Sequence, residues 1–195
     1  MGLPDGSQWH EGVELLKKVP VAAGIMGSVA GAPAAYALMS HFTVMVKEQS
    51  QIFPSGPPVV RRAIGETLDK EELGGYKMHV HDSGQVDNVA ESEEEAFEQI
   101  KKFISYLPNT TSDVADRVET EDPPDRRPEE LLNIIPSNRK RSYDPRKLIS
   151  LVVDNGDFFE MRRHWAGAVI TGFARLDGYS VGIIGSDPRF LAGAM

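Results

Sequence analysis

Residues 55–75 read SGPPVVRRAIGETLDKEELGG and form the most informative stretch of the sequence. After the turn at Ser55-Gly56, Pro57 suits the first turn of a helix, and Gly65 is a typical residue at a helix end. An acidic helical turn and the pair Gly74-Gly75 follow. Because side chains are kept out of these positions, the pattern predicts backbone that closely approaches a carbonyl or phosphate group.

A second segment of small residues lies upstream, at positions 27–31. It follows an apolar run at 20–26, which is typical of a buried strand, and precedes a helix that Pro33 can open. Free N–H groups at such a strand–helix junction can bind an anion or a developing oxyanion. A turn of small residues that merely packs a strand against a helix is the alternative, and the segment alone leaves both open.

The composition limits the possible classes of protein. With 195 residues, 41% of them hydrophobic, the chain can bury a core of one large domain or two small ones. A net charge of −8 argues against nucleic-acid binding. The absence of cysteine excludes disulfides and zinc-thiolate sites and fits a cytoplasmic protein. No signal peptide is recognisable, and Pro20, Pro33 and three glycines interrupt the apolar stretch 19–39, which argues against a membrane span.

Hydrophobic patterning predicts a mixed α/β protein. The helices are expected at 9–18, 33–38, 57–64, 93–107 and 144–154, and the extended segments at 20–26, 41–46, 50–53, 76–80, 85–88, 158–161, 169–176 and 179–184. Asp177-Gly178 between two apolar runs indicates a hairpin. Residues 108–143 are rich in Pro, Asp, Glu and Arg and are interpreted as a surface linker with one short helix.

Few side chains are candidates for chemistry. His79 and His81 would share one face of a strand, but no third ligand accompanies them, so no metal site is predicted. No Ser-His-Asp arrangement, Walker loop or dinucleotide fingerprint is present. The sequence therefore does not support nucleophilic catalysis by a side chain, and backbone amides remain the candidate catalytic groups.

A set of motifs in fixed order gives a family resemblance. They are VPVAAGIMGS (19–28), FPSGPPVV (53–60), GETL (65–68), EELGG (71–75), SGQVD (83–87), YDPRKLI (143–149), VDNGDFFE (153–160) and ITGFARLDGYSVGII (170–184). Together they resemble the carboxyltransferase (beta) subunit of biotin-dependent acyl-CoA carboxylases, of which propionyl-CoA and acetyl-CoA carboxylases are the best-known members. The resemblance covers nearly the whole chain.

The resemblance implies a crotonase-like α/β fold of the ClpP/crotonase type. It divides the chain into part of an N-terminal carboxyltransferase subdomain (1–107), a linker (108–143) and the start of a C-terminal subdomain (144–195). Family subunits are much longer, so the chain is expected to hold at most half of an active site. It would then be an excised piece, one of several assembling chains, or a short homologue.

The implied function is transfer of a carboxylate from carboxybiotin to the α-carbon of an acyl-CoA. Biotin would be carried by a partner, a biotin carboxyl carrier or biotin carboxylase subunit, and acyl-CoA would be the substrate. Self-association, or assembly with a chain that supplies the missing half, is expected. A biotin-dependent acyl-CoA decarboxylase subunit and a non-catalytic CoA-binding or assembly module remain as alternatives.

The resemblance also assigns the candidate site. Gly31 and Ala32 would provide a backbone oxyanion hole, and the acyl-CoA and biotin wall would comprise Gly27, Ser28, Ser55, Gly56, Pro57, Gly74 and Gly75. Family members usually have a Gly-Gly pair in the first turn, whereas this chain has Ala32-Pro33 after Gly31. Proline has no N–H group, so the donor must be Ala32, Gly31 or a neighbour.

Overall fold

A computed structural model describes residues 6–138 and 141–193 of the chain. The helices are α1 (Gly6–Leu16), α2 (Ala32–Leu38), α3 (Pro57–Ile64), α4 (Lys70–Gly74), α5 (Glu93–Ser105) and α6 (Pro145–Val152). The strands are β1 (Ala22–Ile25), β2 (Ser28–Ala30), β3 (Phe42–Val46), β4 (Gln51–Phe53), β5 (Asn88–Ala90), β6 (Phe159–Met161), β7 (Val169–Leu176) and β8 (Tyr179–Ser186). A π-helical turn spans Lys77–Asp82, and short 3-10 turns span Glu129–Leu132, Asp154–Gly156 and Leu191–Gly193.

The first half of the chain repeats a strand–strand–helix unit. In each unit the first strand enters the parallel sheet β1-β3-β5 and the second enters the parallel pair β2-β4. Helix α2 follows β2, and α3 follows β4. All five residues of β3 are buried, as expected of a central parallel strand covered on both faces. This arrangement brings the ends of β2 and β4 together.

The sequence predicts α3 and α5 closely. Helix α3 spans the predicted residues and ends at Gly65, whose φ is +78°. Helix α5 begins as predicted, because the Ser92 hydroxyl accepts a hydrogen bond from the Glu95 N–H at 3.2 Å. The Glu95 carboxylate in turn accepts a hydrogen bond from the Glu91 N–H at 2.8 Å, one residue before the N-cap.

Two local predictions are wrong. Residues 28–30 form strand β2 rather than a turn, because β4 supplies backbone partners along its length. Residues 77–82 form a π-helical turn rather than an extended segment, and its Ser83 N–H donates to the Met78 carbonyl at 2.9 Å. His79 and Val80 are adjacent within this turn, and both are buried.

An aromatic cluster packs the first half of the chain against its last third. Phe42 of β3 stacks on Phe103 of α5 at 5.0 Å between ring centroids and meets the edge of Phe159 of β6 at 5.5 Å. Tyr106 and Phe173 complete the cluster. Offset and edge-to-face ring pairs each contribute about 1 kcal/mol beyond the burial of their area. Strands β6 and β7 therefore share one core with β3 and α5.

A buried carboxylate reinforces this junction. Asp87 accepts hydrogen bonds from the Thr43 N–H at 2.8 Å and from the Thr43 hydroxyl at 2.9 Å. The Arg162 side chain, from the loop after β6, donates to the same carboxyl group at 2.7 Å. Because Asp87 is only 4% exposed, its charge depends on these partners for compensation.

The last three strands form the antiparallel sheet β6-β7-β8. The predicted hairpin is confirmed: Asp177 and Gly178 have φ values of +51° and +78° and connect β7 to β8. The Asp154 carboxylate accepts from both turn N–H groups, at 2.9 and 2.7 Å. Positive φ at both positions suits the right-handed twist of the two strands.

Between α5 and α6 the chain has no α-helix or strand within its described part, residues 106–138 and 141–144. The predicted short helix is the 3-10 turn Glu129–Leu132. Val118 N–H donates to the Gly178 carbonyl, and Arg117 pairs with Asp177, so this segment contacts the β7–β8 hairpin. Among the described residues, no helix is long and apolar enough to cross a membrane.

Candidate functional site

The candidate site lies where the parallel strands β2 and β4 end. Ala30 is paired in register with Phe53, and both strands run in the same direction, so their carboxyl ends meet at one edge. Helix α2 starts two residues beyond Ala30, and α3 starts at Pro57. The structure therefore brings the Gly31-Ala32 segment and the Ser55–Pro57 segment, 24 positions apart in the sequence, to the same edge of the sheet.

Gly31 holds the first of these segments in a conformation reserved for glycine. Its φ is +73° and its ψ is −138°, and its N–H donates to the Phe53 carbonyl at 3.2 Å. A Cβ atom at this position would meet no atom within 4 Å, and Gly31 is exposed. The glycine is thus needed for its backbone angles and borders open space.

Ala32 provides a free amide at this edge. The Gly31 N–H is already used by Phe53, and Pro33 has no N–H group. Across residues 6–138 and 141–193, the Ala32 N–H has no hydrogen-bond acceptor, as expected at the first position of a helix. Of the two donors that the sequence names, Gly31 and Ala32, Ala32 is the one whose N–H is available.

The second segment ends in a helix without a side-chain cap. Gly56 occupies the N-cap position of α3, and its carbonyl accepts from Val59 at 3.0 Å and from Val60 at 3.3 Å. Pro57 takes the first helical position. Ser55, Gly56 and Pro57 are partly exposed, and no residue of α3 is buried. The segment therefore presents backbone at the surface beside Gly31.

Gly27 and Ser28 lie at the opposite end of β2. The Gly27 carbonyl accepts from the Gln51 N–H at 3.2 Å, and the Ser28 hydroxyl donates to the Gln51 amide oxygen at 2.5 Å. The Gln51 amide nitrogen donates in turn to the Glu71 carboxylate. This polar chain links β2, β4 and α4, and it directs the Ser28 hydroxyl toward protein.

Gly74 and Gly75 are buried rather than presented at a surface. A Cβ atom at Gly74 would overlap the Ile52 carbonyl oxygen, and one at Gly75 would overlap the Glu71 side chain. The close approach that the sequence indicates is therefore to strand β4 and to helix α4 itself. Since Ile52 precedes Phe53, the packing of Gly74 also fixes the strand on which Gly31 is anchored.

His79 and His81 do not form a pair of ligands on one face. His79 is 4% exposed, and its Nε2 lies 2.6 Å from the Ile52 carbonyl oxygen. Burial lowers the pKa of His79, which keeps the ring neutral. His81 is exposed and lies against the ring of His164, with centroids 4.8 Å apart. Within the described residues, no group of three or more His, Asp or Glu side chains could hold a metal ion.

A buried ion-pair cluster in the last third of the chain was not predicted. Asp187 is fully buried, and Arg146 and Arg189 donate to its carboxylate at 2.8 and 2.6 Å. Hydrogen bonds from Arg189 lower the pKa of Asp187 to about 2. Arg146 also pairs with Glu160. The charges are compensated within the cluster, which connects α6, β6 and the end of β8 and is remote in sequence from the β2–β4 edge.

Comparisons with known proteins agree with this architecture. The family model described as the carboxyl transferase domain matches residues 6–195. The carboxyltransferase subunit of propionyl-CoA carboxylase from Haloferax mediterranei is 35% identical over 190 residues, which are 97% of this chain and 37% of that protein. The alpha subunit of methylmalonyl-CoA decarboxylase from Veillonella parvula is 36% identical, with the same shares.

Solved structures give the same result for the fold. The transcarboxylase 12S hexamer core, crystallised with methylmalonyl-coenzyme A and methylmalonic acid bound, superposes with a TM-score of 0.90 at 33% identity, over 97% of this chain and 36% of that chain. A single-chain, multi-domain long-chain acyl-CoA carboxylase has a TM-score of 0.80 at 23% identity, over 99% of this chain and 19% of that chain. The fold is the predicted crotonase-like α/β fold, and the chain spans little more than a third of its curated relatives.

Proposed function

Because this chain belongs to the carboxyl transferase domain family, we propose that it is a carboxyltransferase component of a biotin-dependent acyl-CoA carboxylase. The carboxyl group moves from carboxybiotin to the α-carbon of an acyl-CoA. The observation that carries the proposal is the free Ala32 N–H at the edge where β2 and β4 end. Propionyl-CoA is the substrate to test first, since it is the substrate in the name of a relative 35% identical to this chain.

The chemistry needs a donor for a developing negative charge. When the α-carbon of the acyl-CoA loses its proton, charge moves onto the thioester oxygen, and the Ala32 N–H is placed to stabilise it. Such a donor is fixed before the reaction and needs no rearrangement, and each one contributes about 3 kcal/mol to lowering the barrier. Open space beside Gly31 leaves room for the thioester group. Carboxybiotin would supply the carboxyl group, and the ureido nitrogen that gives it up would take the α-proton, so the exchange balances.

Each segment of the candidate site has a distinct role in this proposal. Gly31-Ala32 and the backbone of Ser55–Pro57 form the wall that faces the acyl-CoA. Gly74-Gly75 and the hydrogen bonds of Gly27 and Ser28 hold strand β4 behind that wall. The ligand thus meets the edge of the sheet, and the buried glycines support it from the protein side.

The proposed partner is a biotin carboxyl carrier or biotin carboxylase subunit that carries biotin. The proposed subdomain boundaries are 1–107 and 144–195, with 108–143 between them. A homo-oligomer is proposed because the related transcarboxylase 12S core is a hexamer. A cytoplasmic location is proposed because the cysteine-free sequence is typical of it.

The proposal is tested with the Ala32→Pro variant. Proline is tolerated at the first helical position and removes the N–H group, whereas Ala32→Gly retains that group and serves as the matched control. Transfer from carboxybiotin to propionyl-CoA is measured for the chain alone and with candidate partner subunits. We expect kcat to fall about 100-fold for Ala32→Pro and to change little for Ala32→Gly. Absence of transfer in every combination would contradict the proposal, and CoA binding without turnover would instead favour the non-catalytic module.

A decarboxylase subunit is the second candidate, because the methylmalonyl-CoA decarboxylase alpha subunit is 36% identical to this chain. The same amide stabilises the same charge in either direction of the reaction, so the candidate site suits both. Two incubations distinguish them: one with methylmalonyl-CoA labelled in its free carboxyl group, and one with labelled carboxybiotin and propionyl-CoA. Net transfer of label to biotin, in the presence of the partners, supports the decarboxylase, and net formation of the carboxylated thioester supports the carboxylase.

A further inference from the structure

In the described part of the chain, the backbone hydrogen-bonding groups on one side of strand β4 have no partner strand. Within the described residues, β4 pairs only with β2. Consecutive carbonyls of a strand point to opposite sides, and here the Phe53 carbonyl accepts from Gly31 on the β2 side. The Ile52 carbonyl points away from β2, where a buried oxygen needs a donor from outside the sheet. His79 supplies that donor, with Nε2 at 2.6 Å.

The hydrogen bond determines the form of the His79 ring. A carbonyl oxygen only accepts, so Nε2 carries the proton. Nδ1 is buried and has no partner within hydrogen-bonding distance among the described residues. The nearby Gln85 side chain opposes part of the lowering of the His79 pKa. Burial is the larger effect and favours the neutral ring. His79 is thus a neutral donor held in one tautomer.

Two features hold His79 against this carbonyl. The ring projects from the π-helical turn Lys77–Asp82. Such turns are rare in proteins, and those that occur are frequently found at functional sites. Gly74 approaches the same carbonyl so closely that a Cβ atom would overlap it. The Ile52 carbonyl is therefore confined between the α4 backbone and the His79 ring.

We infer that His79 is a positioning residue for the Ala32 amide, acting through Ile52, Phe53 and Gly31. Its hydrogen bond fixes Ile52, and the next residue, Phe53, anchors the Gly31 N–H. Gly31 in turn precedes Ala32, whose N–H is left free. This inference rests on the proposed function for the role of Ala32, but the chain of hydrogen bonds can be tested without any substrate.

The test compares three variants of the full chain. In His79→Gln the side-chain N–H can replace the Nε2 donor, in His79→Asn the shorter amide cannot reach the carbonyl, and in His79→Leu no donor remains. Amide hydrogen exchange of Gly31 reports the bond to Phe53. We expect exchange at Gly31 to be about tenfold faster in His79→Asn and His79→Leu, and close to the wild-type rate in His79→Gln. In the assembled enzyme, kcat should fall in the same two variants more than KM rises.

The tautomer of the wild-type ring keeps the inference testable if a variant does not fold. Nitrogen-15 NMR should show a neutral ring protonated at Nε2 at neutral pH. A ring protonated at Nδ1, or unchanged Gly31 exchange in folded His79→Asn, would overturn the inference. If Gly31 exchange responds as expected but wild-type enzyme transfers no carboxyl group, the proposed function fails and the positioning of Gly31 by His79 stands.

Discussion

Gly31 and Gly74 give the same signal in the sequence, but Gly31 lies at the surface of the structure and Gly74 is buried. Both lie in runs of small residues, next to a helix end. Gly31 is exposed, has φ at +73° and borders open space. Gly74 is buried, and the Ile52 carbonyl occupies the place of its missing side chain. A glycine-rich segment therefore predicts a close approach or an unusual backbone angle, but not whether the approaching group is a ligand or the protein itself.

The distinction changes how the candidate site is understood. The exposed segment at Gly31-Ala32 can meet a substrate, because one N–H there has no partner within the described chain. The buried pair Gly74-Gly75 cannot do so without movement of α4 and acts on β4 instead. Gly31 shapes the surface of the candidate site, and Gly74 shapes the strand β4 that supports it.

The largest effect is expected for Gly74→Ala. The new Cβ atom would overlap a backbone oxygen, which cannot move aside as a flexible side chain can. Overpacking of this kind costs about 3 kcal/mol, and urea denaturation should show it as a lower midpoint with an unchanged slope. A loss below about 1 kcal/mol would mean that α4 and β4 separate easily, and would remove the contrast with Gly31.

Acid should affect stability through the Asp187 cluster. Its folded pKa of about 2 lies below the usual value of 3.8, so the stabilisation is present above pH 4 and is lost as the pH falls from 4 to 2. The loss should be about 1–2 kcal/mol, because one partner, Arg189, is partly exposed to solvent. Asp187→Asn should flatten this part of the stability profile. Neither glycine titrates, so Gly31→Ala and Gly74→Ala should retain the wild-type slope.

Gly31→Ala should affect function more than stability. Alanine has space at this position but disfavours its backbone angles, which costs about 1–2 kcal/mol of folding free energy. Relaxation of that strain would turn the Ala32 N–H away from the edge. Carboxyl transfer should therefore fall in a variant whose urea midpoint changes less than that of Gly74→Ala. Full activity with a strong loss of stability would reverse the assignment of the two glycines.

The smallest effect is expected for Gly27→Ala. This glycine has no neighbour within 4 Å of the new Cβ atom, and the hydrogen bond from Gln51 uses its carbonyl, which alanine retains. Stability should change by less than about 0.5 kcal/mol, with activity retained. The variant thus separates the general effect of losing a glycine from the specific effects at Gly31 and Gly74. A larger loss of stability would show that another group occupies the open space beside Gly27.

Local signals predicted the elements whose ends are set by nearby residues. Helix α3 is delimited by Pro57 and Gly65, and the β7–β8 hairpin by Asp177-Gly178; these were predicted within a few residues. Strand β2 was missed because its three residues become a strand only through pairing with β4, 23 positions later. The π-helical turn was missed because the alternation of polar and apolar residues at 76–80 imitates a strand.

The sequence predicts only part of the candidate site, because local signals locate its segments and long-range contacts determine how they are used. The motifs located the exposed backbone at Gly31-Ala32 and Ser55–Pro57, and the register of β2 and β4 explains their proximity. The sequence could not identify the free donor, because the use of the Gly31 N–H depends on Phe53. His79 was considered only as a metal ligand, because its partner is a main-chain carbonyl 27 positions away that leaves no mark on the local pattern.

In the proposed function, Ala32 at the β2–β4 edge contacts the acyl-CoA and the buried glycines do not. Titration of the nitrogen-15-labelled chain with propionyl-CoA, followed by amide chemical shifts, tests it most directly. We expect the amide signals of Ala32 and of its neighbours at 31 and 55–56 to shift most, and those of Gly74 and Gly75 to shift little. Largest shifts at Gly74-Gly75 or at the Asp187 cluster, or no shift at Ala32 when binding is saturated, would contradict it.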